Sequence, residues 1–235
     1  MIQYQLPQWI SILFLIAIPT PIFMVAFLAK KGSPEAKKNS ISYVILGFFV
    51  LYFAYVGIGS ISGLFNKVLF PPIILLFTTF PLAIFLFGLV INLAIYKVIL
   101  HNSTLENLVS VHIFRLIGVF FLILTFHETL PRFFALVAGL GDMITAVTSI
   151  FVANAIKNQK PYARTLTYVW NTFGFVDILF TAISSLVLTK LSIDSGSMGV
   201  DVLAQFPFCF IPAFAPPVII FLHVAVFKKL KKKSV

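Results

Sequence analysis

Residues 133–156 read FFALVAGLGDMITAVTSIFVANAI, and Asp142 is the only charge among them. A run of this length and apolarity suits the ~30 Å hydrocarbon core of a bilayer, which a helix crosses in about 20 residues. A strand of the same composition would leave its edge amides unpaired in lipid, whereas a helix satisfies its own. Moved outward in both directions, the same ruler predicts helices near 9–29, 41–62, 72–96 and 108–126 before this run, and near 164–189 and 206–227 after it. The chain therefore reads as an all-α, polytopic membrane protein. Residues 1–235 form a single transmembrane domain of about seven helices joined by short connections. Composition agrees, because 60% hydrophobic and 10% charged residues leave too little polar material to cover a soluble domain of 235 residues.

The basic residues orient the bundle. Lys30, Lys31, Lys37, Lys38, Lys97, Lys157, Lys160, Arg164, Lys228, Lys229, Lys231, Lys232 and Lys233 fall on one side of the predicted helices. Only Lys67, Arg132 and Lys190 fall on the other. Positive charge collects on the cytoplasmic side, so the expectation is an N-terminus outside and a lysine-rich C-terminus in the cytoplasm, in an inner or plasma membrane. An odd number of helices demands the same. Clustering of the +10 charge between apolar runs argues against nucleic acid as a partner and leaves membrane lipids. The tail from Lys228 to Lys233 suits anionic headgroups, although an orientation signal alone explains it. Met1–Gln8 carries no basic residue before the first apolar run, unlike a cleaved secretory signal. The lone Cys209 excludes an intramolecular disulfide framework.

Charges inside the spans each cost at least ~2.5–3.5 kcal/mol on insertion scales and therefore ask for a reason. His112 and Arg115, three apart, share a face of the fourth helix. Asp142 lies near the midplane of the fifth beside Gly139 and Gly141, and Thr145 and Ser149 extend its face. On the sixth, Trp170, Gly174, Asp177, Thr181 and Ser184 step by four and three along one face, with Asn171 beside it. Asp177 is again near the midplane. Gly-then-Asp thus recurs in two consecutive, oppositely running helices, as in weak inverted repeats. Arg115 has two readings: it snorkels to the cytoplasmic surface, or it bridges Asp142 and Asp177. Nearer the cytoplasm, Asn92, His112, Asn171 and His223 form a second polar layer. Paired His112 and His223 could ligate a b-type haem or a metal, or simply hydrogen-bond to neighbours. Pro19, Pro21, Pro81, Pro212, Pro216 and Pro217 interrupt three helices, either as bends or as cavity-lining breaks.

These features favour a small transporter or channel-like protein. In that reading Arg115, Asp142, Asp177, Asn171 and Trp170 handle an ion, a proton or a small solute. The alternatives are a membrane-embedded enzyme acting on a lipid or isoprenoid, a haem-binding protein using His112 and His223, and a receptor or assembly subunit whose charges only pair helices. Retinal chemistry is excluded, since the seventh helix has no lysine before Lys228. Phosphate-binding loops and a His-Glu-x-x-His motif are absent.

Overall fold

A computed structural model describes residues 6–66 and 69–231, which are built from helices with no strand among them. Among the described residues, seven helices are long and apolar enough to cross a membrane. In chain order these spans are Gln8–Gly32, Glu35–Ile61, Leu75–Asn92, Leu105–Phe126, Arg132–Lys157, Ala163–Ser195 and Phe210–Lys231. The polytopic all-helical architecture expected from hydropathy is therefore present. Residues 1–5, Lys67, Lys232 and Lys233, part of the charge reading above, lie outside the described residues.

The sixth span has 33 residues, about 50 Å of helix, and overruns a ~30 Å hydrocarbon core. Lys190, expected just beyond the helix, instead lies within this overhang and pairs with Asp194 one turn on, at 2.6 Å. The third span departs further from expectation, because the helix read as 72–96 ends at Asn92. Leu93 is extended, with φ −63° and ψ 136°, and a separate short helix, Ala94–Asn102, begins after it. That short helix buries Leu100 and exposes Lys97, His101 and Asn102, so it lies against the lysine-rich end of the bundle. Asn92 is exposed and donates to the Gly88 carbonyl at 2.8 Å, away from the histidines it was grouped with.

The prolines sit at helix starts or, in the seventh span, inside a helix where the lost hydrogen bonds are replaced. The first span is interrupted at Ile18, whose dihedrals stay helical at φ −62° and ψ −28°, and Pro19 opens its second half. In the seventh, Pro216 and Pro217 remove the amides that would reach Pro212 and Ala213 four residues back. The Thr79 hydroxyl donates to the freed Pro212 carbonyl at 2.7 Å, and the Tyr52 hydroxyl to that of Ala213 at 3.0 Å. Side chains of the second and third spans thus satisfy the kink of the seventh, as lipid requires.

Two large apolar clusters divide the bundle along its length. One, with Phe14, Phe120, Leu124, Phe134, Phe208 and Phe210, fills the end away from the lysines. The other, with Phe49, Leu86, Leu108, Phe214, Leu222 and Val226, fills the lysine-rich end. Outward-facing Phe23, Leu51, Ile84, Phe133 and Phe151 remain exposed, as a lipid-facing surface would have them. The fourth span lies along the fifth, the fifth along the sixth and the sixth along the seventh. These four enclose the polar residues.

Candidate functional site

The fourth span is overwound where it carries its polar residues. Leu105–Ser110 and Val119–Phe126 are α-helical, but the eight residues Val111–Gly118 between them form a 3-10 helix. With three residues per turn, side chains at i and i+3 eclipse. His112, Arg115 and Gly118 consequently stand in one column, directed at the fifth and sixth spans.

Arg115 does not snorkel. It is 1% exposed, and its guanidinium is held from three other spans. Nε donates to Asp142 Oδ1 at 2.7 Å, and one terminal nitrogen donates to Asp177 Oδ2 at 2.6 Å. The other terminal nitrogen donates to the Gly174 carbonyl at 3.1 Å and to His223 Nε2 at 3.0 Å. Hydrogen bonds to charged groups contribute about 1.5–3 kcal/mol each, so this hub ties the fourth, fifth, sixth and seventh spans together.

His223 can accept from arginine only through a bare Nε2, which puts its proton on Nδ1. There it donates to Asn171 Oδ1 at 2.8 Å, while Asn171 Nδ2 donates to the His223 carbonyl at 3.1 Å. Asn171 therefore fixes both the tautomer and the orientation of His223. Trp170 donates from its indole nitrogen to the Thr145 carbonyl at 3.1 Å, locking the sixth span to the fifth. Of the residues expected at the site, Arg115, Asp142 and Asp177 meet directly, Asn171 and His223 form their support, and Trp170 braces the helix pair.

His112 and His223 do meet, with ring centroids 4.2 Å apart. A haem does not fit between them, because two axial imidazoles on opposite faces of a porphyrin would stand much farther apart, and both nitrogens of His223 are engaged. Among the described residues no group of three or more His, Cys, Asp or Glu side chains is arranged to hold a metal. His112 is fully buried, edge-on to Trp170, and neither of its ring nitrogens has a hydrogen-bond partner among the described residues.

Two glycines make the close approach possible. A Cβ on Gly141 would overlap the Asp177 carboxylate, and one on Gly118 would overlap the side chain of Asp142. Gly141 was legible from its neighbour Asp142. Gly118 was not singled out, although its spacing of three from Arg115 was a usable signal, and the Gly174 carbonyl was likewise not anticipated.

The cluster is asymmetric along the bundle. Towards the lysine-rich end, buried His112, His223 and Trp170 close over Arg115. On the carboxylate side, Asp142 Oδ2 and Asp177 Oδ1 accept no hydrogen bond among the described residues, and the two aspartates keep 7% and 9% exposure. Thr181 and Ser184, half-buried, continue the Asp177 face away from the lysines.

A separate apolar cavity of about 560 Å³ lies nearer the lysine-rich end. It runs between the second and third spans, the short helix Ala94–Asn102 and the seventh span, and Arg115, Asp142 and Asp177 do not line it.

No curated protein and no solved structure matches the chain. The family described as a domain of unknown function (DUF8737) matches residues 71–231, which include the third to seventh spans and every charged residue of the cluster, and the chain belongs to that family.

Proposed function

We propose that this protein is a small membrane transporter or channel-like protein that takes a proton or a small cation at Asp142 and Asp177. The observation that carries this reading is charge imbalance: two carboxylates face one guanidinium, so the ionised cluster holds one negative charge in excess. Net charge in the hydrocarbon layer is costly, and a proton or cation on the unpartnered Asp142 Oδ2 and Asp177 Oδ1 offsets it. Arg115 keeps the carboxylates apart and aimed, and Asn171 holds His223 in the form that accepts from Arg115. Thr181 and Ser184 supply polar groups on the way to the end away from the lysines. In this reading the lysine-rich end faces the cytoplasm of an inner or plasma membrane, and the partners are membrane lipids and the transported ion or solute.

A lipid-processing enzyme receives less support, because its carboxylates would have to meet the substrate and they do not line the apolar cavity.

The test is flux in proteoliposomes, followed with a pH-sensitive dye and with sodium and potassium gradients. Wild-type protein is expected to dissipate at least one gradient. Asp142→Asn and Asp177→Asn should each reduce the rate by tenfold or more, on the order of 1.4 kcal/mol or above, while eluting as folded protein. Wild-type flux in the double Asn variant would overturn the reading.

A further inference from the structure

The apolar cavity near the lysine-rich end is independent of the charged cluster and has its own polar mouth. Its walls are almost entirely hydrocarbon: Leu28 of the first span, Phe48 of the second, Leu86 of the third and Leu222 of the seventh are among them. From Ser40 to Phe49 along the second span the cavity runs about 13 Å, close to half the ~30 Å hydrocarbon thickness. Its volume of about 560 Å³ lies within the ~300–1,000 Å³ range of small-molecule sites and far above the ~150 Å³ of a void that stays dry.

The polar groups collect at one end. Lys37 and Ser40 line the cavity where the second span begins, and Lys37 is exposed with no acidic partner among the described residues; the neighbouring Glu35 is taken by Lys38. Tyr96, on the short helix, turns its ring into the wall, and its hydroxyl is buried without a hydrogen-bond partner among the described residues. Burial pushes that phenol up to about 12, so it stays protonated and is a donor awaiting an acceptor. The Lys228 ammonium sits over the same ring, 6.0 Å from its centroid. The tail-length apolar slot thus has one cation in its lining, Lys37, and a second, Lys228, beside the ring of Tyr96, whose hydroxyl is an unused donor.

We infer that this cavity is a binding site for an anionic phospholipid of the lysine-rich leaflet. One acyl chain fills the slot between the second span, the third span and the short helix, and the phosphate accepts from the Tyr96 hydroxyl between Lys37 and Lys228. A zwitterionic lipid would bring its own cation towards Lys37 and the nearby Lys228, and inorganic phosphate would leave the slot empty.

The experiment titrates the purified full-length protein in non-ionic detergent with dioleoylphosphatidylglycerol, dioleoylphosphatidylcholine and inorganic phosphate. Bound molecules are counted by native mass spectrometry. Phosphatidylglycerol should bind one per chain and roughly 25-fold tighter than phosphatidylcholine, since each of the two lysines near an anionic headgroup contributes about fivefold. Lys37→Glu should abolish that preference, Tyr96→Phe should weaken phosphatidylglycerol several-fold, and Ser40→Trp should exclude both lipids by filling the mouth. Lys37 and Ser40 are exposed, and lipid-free melting curves report whether each variant folds. If Lys37→Glu does not fold, Lys37→Gln carries the same comparison. Equal affinity for the two lipids, an unchanged preference in the Lys37 variant, or binding of phosphate alone overturns the proposal. Asp142→Asn is expected to bind phosphatidylglycerol like wild type, so loss of flux and loss of lipid binding are read separately.

Discussion

An arginine at the centre of a span is tolerated when its donors are used, and Arg115 uses Nε and both terminal nitrogens on partners from three other spans. Removing a partner of a buried ion pair costs about 3–5 kcal/mol, because the opposite charge is left behind. Arg115→Gln leaves two carboxylates facing each other, and the expected result is a fall of several degrees or more in the melting midpoint in detergent. The triple variant R115Q/D142N/D177N removes the repulsion and should recover much of that loss, measured in the same scan. Single-variant stability equal to wild type would mean that the cluster does not hold the bundle together. The three charges were legible in the sequence because lipid makes any charge conspicuous. The histidine pairing was half-legible: depth brought His112 and His223 to one level, but the sequence could not assign the nitrogens of His223 to Arg115 and Asn171. The Gly174 carbonyl was illegible, because every residue carries one.

Among the elements, the fifth and sixth spans touch closely enough that a single methyl decides whether they fit. Gly141→Ala puts a Cβ into the Asp177 carboxylate, whereas Gly47→Ala in the second span meets nothing within 4 Å. Both substitutions favour helix by up to about 1 kcal/mol on propensity alone. Gly141→Ala is nonetheless expected to destabilise and Gly47→Ala to be neutral or stabilising, as compared by thermal unfolding of the two purified variants. Thr79→Val tests the proline kink in the same way. It leaves the Pro212 carbonyl without its donor, a loss of roughly 0.6–2 kcal/mol for an interhelical hydrogen bond in a membrane. Span positions were legible from apolar run length. The end of the third span was not, since Leu93 and Ala94 are as apolar as a continuing helix and only the polar side of Ala94–Asn102 reveals a new element. The 3-10 winding of Val111–Gly118 left no mark in composition either.

At the scale of the whole molecule, charge and length carry the orientation. The lysine-rich ends of the described spans, with the Arg164 guanidinium on the Leu230 carbonyl and Lys229 on the carbonyl of His101 at 2.7 Å, gather on one side. Cys209 is buried and free, so Cys209→Ser gives a background for topology mapping. In that background Ser197→Cys, exposed at the far end, should react with a membrane-impermeant maleimide on intact cells. Glu35→Cys, exposed at the lysine-rich end, should react only after the membrane is opened. The reversed pattern would invert the topology and the direction of any transport.

The overwound stretch Val111–Gly118 is also a ruler of variable length. Eight residues rise about 16 Å at ~2.0 Å each as 3-10 helix, but about 12 Å at ~1.5 Å each as α-helix. Relaxing it would draw the two ends of the fourth span together by about 4 Å and, at ~20° per residue, turn Arg115 by about 60° relative to His112. The strictly eclipsed column of His112, Arg115 and Gly118 exists only in the tighter winding, although in an α-helix His112 and Arg115 would still share a face. Rewinding would therefore change the alignment of Arg115 with His112 in the same stroke that shortens the span, a coupling of pitch to side-chain direction built from backbone geometry alone.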